Sequence, residues 1–191
     1  MFDGGSDEER EFLILTSRLA MRPRRAADEI GVNALAANPA IAPNLCATIP
    51  EDGGESMVIS ERRTGRLVGA AAHGVTGLGS GLEVSLWIGE PDWGRGYGTE
   101  AAHALIDHAF ADEQVAAIWC SNRVTNPRAR RVIEKCGFQF RGSGMVRMAG
   151  RGAFPIERFA LDRGAWLSLK AWGGATQQSG GRSDASRETA A

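Results

Sequence analysis

A chain of 191 residues with 43% apolar content is long enough for one ordinary domain and too apolar for wholesale disorder. Its 22 basic and 23 acidic side chains leave a net charge of -1, which argues against non-specific affinity for nucleic acid or anionic membrane. The three cysteines, Cys46, Cys120 and Cys136, include no C-x-x-C pair, which excludes a disulfide scaffold and the usual zinc spacings. A metal-free protein of the reducing cytoplasm is therefore expected.

Residues 1–11 are acidic and polar, unlike a secretory signal, and no window reaches the ~20 apolar residues of a membrane span. They read as a disordered tail, as do residues 173–191, which lack large apolar side chains. A single domain is expected over 12–172. Within it, Thr16–Arg22 reads as a short strand ending at Pro23, and Ala26–Ala37 as a helix stopped by Asn38-Pro39. A second short helix is expected over Ile41–Cys46, then a loop through Pro50–Gly54. Ser56–Ser60 and Arg66–Val75 flank Arg62–Gly65 as a hairpin, and Gly77–Gly81 makes another turn. Leu82–Ile88 is strand-like, and Thr99–Phe110 carries apolar residues at helical period. Val115–Cys120 reads as a buried strand, and Asn126–Cys136 as a helix closed by Gly137. Phe138–Met148 and Phe154–Leu161 complete the strands, and Ala165–Trp172 forms a closing helix. The order implies an α/β domain with a mixed sheet.

Chemistry concentrates in Trp87–Ala101, WIGEPDWGRGYGTEA, where a strand enters, Gly94, Gly96 and Gly98 follow, and a helix leaves. Glycines let successive N–H groups turn inward with no Cβ in the way, and the helix adds free N–H groups and the positive end of its dipole. That is a phosphate or pyrophosphate cradle. Arg95 can supply a formal charge, and Thr99 can cap the helix or donate its hydroxyl. The spacing is not that of a dinucleotide fingerprint, and the G-K-[ST] of a Walker loop is absent. A plain flexible strand–helix connection stays open from the loop alone.

A second motif follows about thirty residues later, N-P-R-A-R-R-V-I-E-K-C-G-F over Asn126–Phe138. Together, W-G-R-G-Y-G-T-E-A and N-x-x-A-x-x-V-I-E-K-x-G-F resemble the acetyl-CoA-binding core of GNAT-fold N-acetyltransferases. Leu15–Pro23, Leu82–Gly89 and Phe154–Trp166 extend the resemblance toward the RimJ/RimL type, which acetylates N-termini of ribosomal proteins. The resemblance implies the GNAT fold: a twisted, mostly antiparallel mixed sheet of six to seven strands, about four flanking helices, and strands splayed at the acetyl-CoA site. It implies acetyl-CoA as co-substrate, bound at the pyrophosphate by the backbone amides of Trp93, Gly94, Arg95, Gly96, Tyr97, Gly98 and Thr99. The pantetheine arm would pair with backbone groups near Trp87 and Ile88. Asn126 would contact the same arm, and Arg128 and Arg131 would reach for the 3′-phosphate. Arg131 reads equally as a solvated residue paired with Glu134. Trp93 would pack the cofactor or simply fix the loop.

Acyl transfer needs a neutral amine, a donor to the carbonyl oxygen and a proton for the departing thiolate. Alternation puts Glu83, Ser85 and Trp87 on one strand face. Glu83 is the candidate base, directly or through water; its other reading is a strand glutamate paired with an arginine. The N–H of Ile88 is the candidate carbonyl polariser. Ala129 stands where the motif often has serine, the sole tyrosine is Tyr97, and Ser85-Leu86 replace the usual Gly-Tyr, so no dedicated acid is evident. His73, His103 and His108 make no metal signature, and no thiol nucleophile is expected. Acceptor selection is assigned to Ala26–Pro50 and Gly142–Phe154, where Asp28, Glu29, Glu51 and Asp52 could steer an amine. The expected protein is an N-acetyltransferase acting on a protein N-terminus or small amine, monomeric or homodimeric, without nucleic-acid or membrane partners. A small-molecule or antibiotic acetyltransferase, or a non-catalytic acyl-CoA-binding module, are the alternatives.

Overall fold

The computed structural model describes residues 14–46, 54–75, 81–148 and 152–179. The loop expected over Pro50–Gly54, most of the Gly77–Gly81 turn, the tail at 1–11 and residues 180–191 lie outside the described residues. Eight strands form one sheet: β1 Ile14–Leu15, β2 Leu19–Pro23, β3 Gly54–Glu61, β4 Leu67–Val75, β5 Leu82–Ile88, β6 Ala117–Arg123, β7 Gln139–Met148 and β8 Gly152–Asp162. Four α-helices accompany them: α1 Glu29–Ala36, α2 Tyr97–Ala109, α3 Pro127–Lys135 and α4 Arg163–Ser179. The sheet order is β1-β2-β3-β4-β5-β6-β8-β7, antiparallel throughout except where β5 meets β6 in parallel. The expected GNAT architecture is present, with one strand more than the upper expectation.

The additional strand arises at the N-terminus. The strand expected over Thr16–Arg22 begins only at Leu19, because the chain turns at Thr16–Arg18, and Ile14–Leu15 ahead of that turn pairs back on it as β1. Thr16 Oγ1 accepts the Leu19 N–H at 2.8 Å, and the Thr16 N–H donates to Leu19 O at 2.9 Å. Glu100, in the first turn of α2, locks this turn: it accepts the Thr16 hydroxyl at 2.5 Å and the Arg18 N–H at 2.9 Å, and it ion-pairs with the Arg18 guanidinium at 2.6 Å. Burial opposes its ionisation, but these donors outweigh burial and hold the carboxyl at about 2, against an ordinary 4.5. A depressed carboxyl contributes its stability in full above 4.5 and loses it as pH falls towards 2. Glu100→Gln is therefore expected to flatten the fall of the urea midpoint across that acid window.

The helix expected over Ile41–Cys46 is only a 3₁₀ turn at Ala42–Asn44, with Pro43 inside it and too few residues to nucleate a helix. At the other end, α4 runs past the expected boundary at Trp172 to Ser179, so that boundary falls inside an element. The two glycines at 173–174 cost roughly 1 kcal/mol each and do not stop a helix already propagating.

The sheet separates two apolar layers. On one face α2, α3 and α4 cover Leu19, Met57, Val84, Ile88, Ile118 and Phe159, and Trp166 of α4 stacks on Phe110 with ring centroids 4.9 Å apart. On the other face α1 presents Val32 to Val58, Ala70 and Trp87. Further along that face Val146, Phe154 and Ile156 pack with Cys46. The even and odd positions of β5 thus serve different layers, as the strand period requires.

Candidate active site

The β5–β6 seam opens after two pairs. Leu82 faces Ile118 and Glu83 faces Trp119, and no pairing follows along the remaining five residues of β5. On the other side β5 stays paired with β4 up to Ile88↔Gly69. The Gly89 N–H donates to Val68 O at 2.7 Å, which fixes the phase of that ladder. Antiparallel bonding alternates, so Trp87 and Ser85 spend their backbone groups on β4, whereas those of Ile88 and Leu86 point into the opening. Of the two residues expected to meet the pantetheine arm, Trp87 turns its backbone groups to β4, whereas the Ile88 N–H faces the opening, as do the backbone groups of Leu86. The Ile88 carbonyl is taken, since the Trp93 indole N–H donates to it at 2.7 Å.

The glycine loop presents a row of unbonded N–H groups, though not from every residue expected to supply one. Gly94 and Gly96 sit in the left-handed region, at φ 77 and 80, and Gly96 is the N-cap of α2. The first helical bond runs from the Glu100 N–H to Gly96 O, so the N–H groups of Tyr97, Gly98 and Thr99 are left without helical acceptors. Those of Gly94, Arg95 and Gly96 precede them, also without an acceptor among the described residues. The Trp93 N–H is not part of the set, because it closes the preceding turn on Glu90 O at 3.1 Å. Thr99 is not the cap; it stands in the first turn of α2.

Arg95 does not bring charge to the cradle. Its guanidinium pairs with Asp92 at 2.6 Å and reaches Glu61 at 3.4 Å, while Arg66 holds Asp92 through two bonds of 2.7 Å. Hydrogen bonding from Arg66 is the main reason that the Asp92 carboxyl lies below its ordinary range. Tyr97 is buried between Arg18 and Arg95, and its hydroxyl donates to Glu61 at 2.9 Å, so the sole tyrosine is held behind the loop. Positive charge comes instead from Arg128, whose guanidinium lies 4.6 Å from the Trp93 ring. Asn126 caps α3 by accepting the Ala129 N–H at 3.1 Å. Arg131 is exposed and has no ion pair among the described residues; Glu134 pairs with Arg130 at 2.9 Å rather than with Arg131.

Glu83 lies where the seam opens and is 1% exposed. It accepts the Ser121 hydroxyl at 2.7 Å, and Arg158 of β8 approaches within 3.7 Å while lying over the Trp119 ring. The pairing with an arginine that the sequence left open is thus present, and Ser121 and Arg158 are site residues that sequence reading missed. Cys46 borders the same space. Burial pushes its thiol up to about 11, with a further contribution from Glu83, and burial alone does the same at Cys136. Neither is a thiolate near neutral pH. Labelling of the native chain with a thiol-disulfide reagent is expected to be slow at all three cysteines and to become immediate on denaturation. His73 and His108 come within 5.5 Å, but no metal-binding group of three side chains exists among the described residues.

An opened parallel seam beside a glycine-rich helix N-terminus is the arrangement that takes an extended arm and a pyrophosphate together. The model of the acetyltransferase (GNAT) domain matches residues 18–139, and the chain belongs to that family. It is an acetyltransferase with acetyl-CoA as co-substrate, and the free amides of the cradle and of Leu86 and Ile88 fit that ligand. Among solved structures, the spermidine N-acetyltransferase of Vibrio cholerae, in complex with CoA and spermine, is 18% identical, with 80% of this chain and 99% of that one covered at a TM-score of 0.64. An aminoglycoside acetyltransferase, AAC(6′)-Ib with coenzyme A, is 19% identical over 80% and 99% at 0.65. RimJ of Mycobacterium smegmatis, in complex with CoA-disulfide, is 20% identical over 81% and 89% at 0.65. At such identities the likeness defines the fold alone. No curated protein sequence matches the chain significantly.

Proposed function

We propose that the chain transfers the acetyl group of acetyl-CoA to a primary amine by direct attack within a ternary complex. The opening of the β5–β6 seam carries this reading, because it sets free ladder groups, a buried carboxylate and a phosphate cradle along one groove. The similar structures named above, which acetylate spermidine or aminoglycosides, support an amine acceptor. The RimJ likeness supports a peptide N-terminus among the candidates.

In this reading the six free N–H groups from Gly94 to Thr99 hold the pyrophosphate, with Arg128 beside them. Asn126 contacts the pantetheine arm, and Arg131 reaches toward the 3′-phosphate. Spacing then selects the carbonyl polariser. Along a strand, Ile88 lies roughly 17 Å from Glu83 and Leu86 roughly 10 Å. A base must reach the attacking amine directly or through one water, so the Leu86 N–H is the better placed donor to the carbonyl oxygen, and the Ile88 N–H serves the arm. Glu83 takes the amine proton while Ser121 and Arg158 hold its carboxylate in place. With Ala129 on α3 and Tyr97 locked behind the loop, the thiolate is protonated by solvent. No helix of the described residues is long and apolar enough to cross a membrane, and we read the chain as a cytoplasmic enzyme, monomeric or homodimeric, acting without nucleic acid.

The deciding experiment is thiol release from acetyl-CoA across an amine panel, with CoA affinity measured by calorimetry. Turnover with at least one amine is expected; CoA binding without turnover on any would leave a binding module. Gly96→Val tests the cradle. Its side chain would occupy a positive φ, with Cβ 3.3 Å from an Arg18 guanidinium nitrogen. A rise of at least tenfold in the CoA dissociation constant is expected, and an unchanged value would move the pyrophosphate elsewhere.

A further inference from the structure

The face on which Glu83 stands also carries Arg123, the last residue of β6. Alternation along β6 puts Trp119, Ser121 and Arg123 on that face, and Ser121 confirms it by its bond to Glu83. Glu83 pairs with Trp119 in the parallel register, and Arg123 lies four residues further along β6, as Trp87 does along β5, on the far side of the opened seam. Its guanidinium is half-buried and lies 3.7 Å from the Phe154 ring centroid. It forms no ion pair with any carboxylate among the described residues. Contact with the ring fixes where the guanidinium sits, and the N–H edge of a guanidinium matches a carboxylate in two-point contact.

Of the acidic groups expected to attract a cationic acceptor, Glu51 and Asp52 lie outside the described residues, and Asp28 and Glu29 are already paired. Asp28 is held by Arg22 at 2.7 and 2.8 Å, and Glu29 by Arg24 at 2.6 Å. Glu83 is matched by Arg158. Glu157, next to Arg158 on β8, faces the α3 side and pairs with Arg130 at 2.5 Å. Among the described residues Arg123 is thus a positive charge at this opening with no ion-pair partner, whereas Asp28, Glu29 and Glu83 are each matched by an arginine. A bound polyamine would bring several more cations to this rim.

Resting on the transferase reading above, we propose that the acceptor is an amine carrying a carboxylate close to its nitrogen, with Arg123 as the residue that selects it. The amine then stands at Glu83 and Leu86 while the carboxylate lies against the N–H edge of Arg123. A free amino acid and a peptide N-terminus followed by an acidic residue both present this chemistry.

The test uses the full chain with acetyl-CoA and acceptors differing only in that charge. Glycine, β-alanine and γ-aminobutyrate are each compared with their amides, Ala-Asp with Ala-Asn peptides, and spermidine serves as the polycation. The expected result is a kcat/KM at least tenfold higher for one carboxylate member than for its amide, in the amino-acid arm or the peptide arm. Arg123→Gln should collapse that ratio by raising KM, and Arg123→Lys should restore part of it, with CoA affinity reporting that both variants are folded. Equal rates for acids and amides, preference for spermidine, or a ratio indifferent to Arg123→Gln would each overturn the proposal while the transferase stands. Absence of turnover on every acceptor despite CoA binding would remove the transferase reading, and this one with it.

Discussion

Glu83→Gln is expected to lower kcat by about 10²–10⁴-fold, the usual contribution of a positioned general base, while CoA affinity stays within twofold. The carboxamide keeps the shape and still accepts the Ser121 hydroxyl, so the fold has no reason to open. What it loses is the ability to take a proton and the charge opposite Arg158. Glu83→Ala makes a poorer test, because removing one partner of a buried ion pair costs roughly 3–5 kcal/mol and confounds chemistry with stability. The readout is turnover at saturating acetyl-CoA, set beside CoA affinity by calorimetry. If Glu83→Gln retains full turnover, the carboxylate is structural, held by Ser121 and Arg158.

The largest expected effect on stability comes from one methyl group. In Gly69→Ala the new Cβ would overlap the Trp87 carbonyl oxygen and lie 3.1 Å from Ile88 Cα. Both obstacles are backbone, so no side chain can swing away, and β4 must separate from β5. Overpacking of this kind costs about 3 kcal/mol, which lowers Tm by roughly 6–12 °C in a domain of this size. The same displacement moves the Leu86 and Ile88 amides, so CoA affinity should fall along with Tm. Gly144→Ala, with nothing within 4 Å of its Cβ, is the control and should leave both unchanged.

Elements whose signals are local were legible. Leu82–Ile88 is observed over the expected residues, and α3 has its closing glycine at Gly137, with φ 87, as read, while Asn126, read as its first residue, is its cap. Helix α2 begins two residues early because its cap is Gly96, which has no side chain to announce one. The Thr16–Arg18 turn was missed because its stabilising partner, Glu100, lies more than eighty residues away. Non-local register explains the site errors too. Whether Trp87 or Leu86 faces the opening depends on the pairing of β5 with Gly69, and Arg95 looked like a phosphate ligand only while Asp92 and Glu61 were out of view. Ser121, Arg123 and Arg158 arrive from β6 and β8, and no spacing in the chain ties them to Glu83.

The short β5–β6 seam also has a consequence for assembly of the molecule. Strands β1 to β5 are each antiparallel to the next in sequence, and β7 and β8 form a hairpin, so both parts can form from nearby contacts. They are joined in the sheet by two residue pairs and must wait for the α2 crossover. The seam is therefore placed to close last and loosen first, as two foldons meeting at the substrate groove. Acetyl-CoA spanning that groove would act as a clasp between them, and native-state amide exchange at Ile118–Ser121 should slow when CoA is bound.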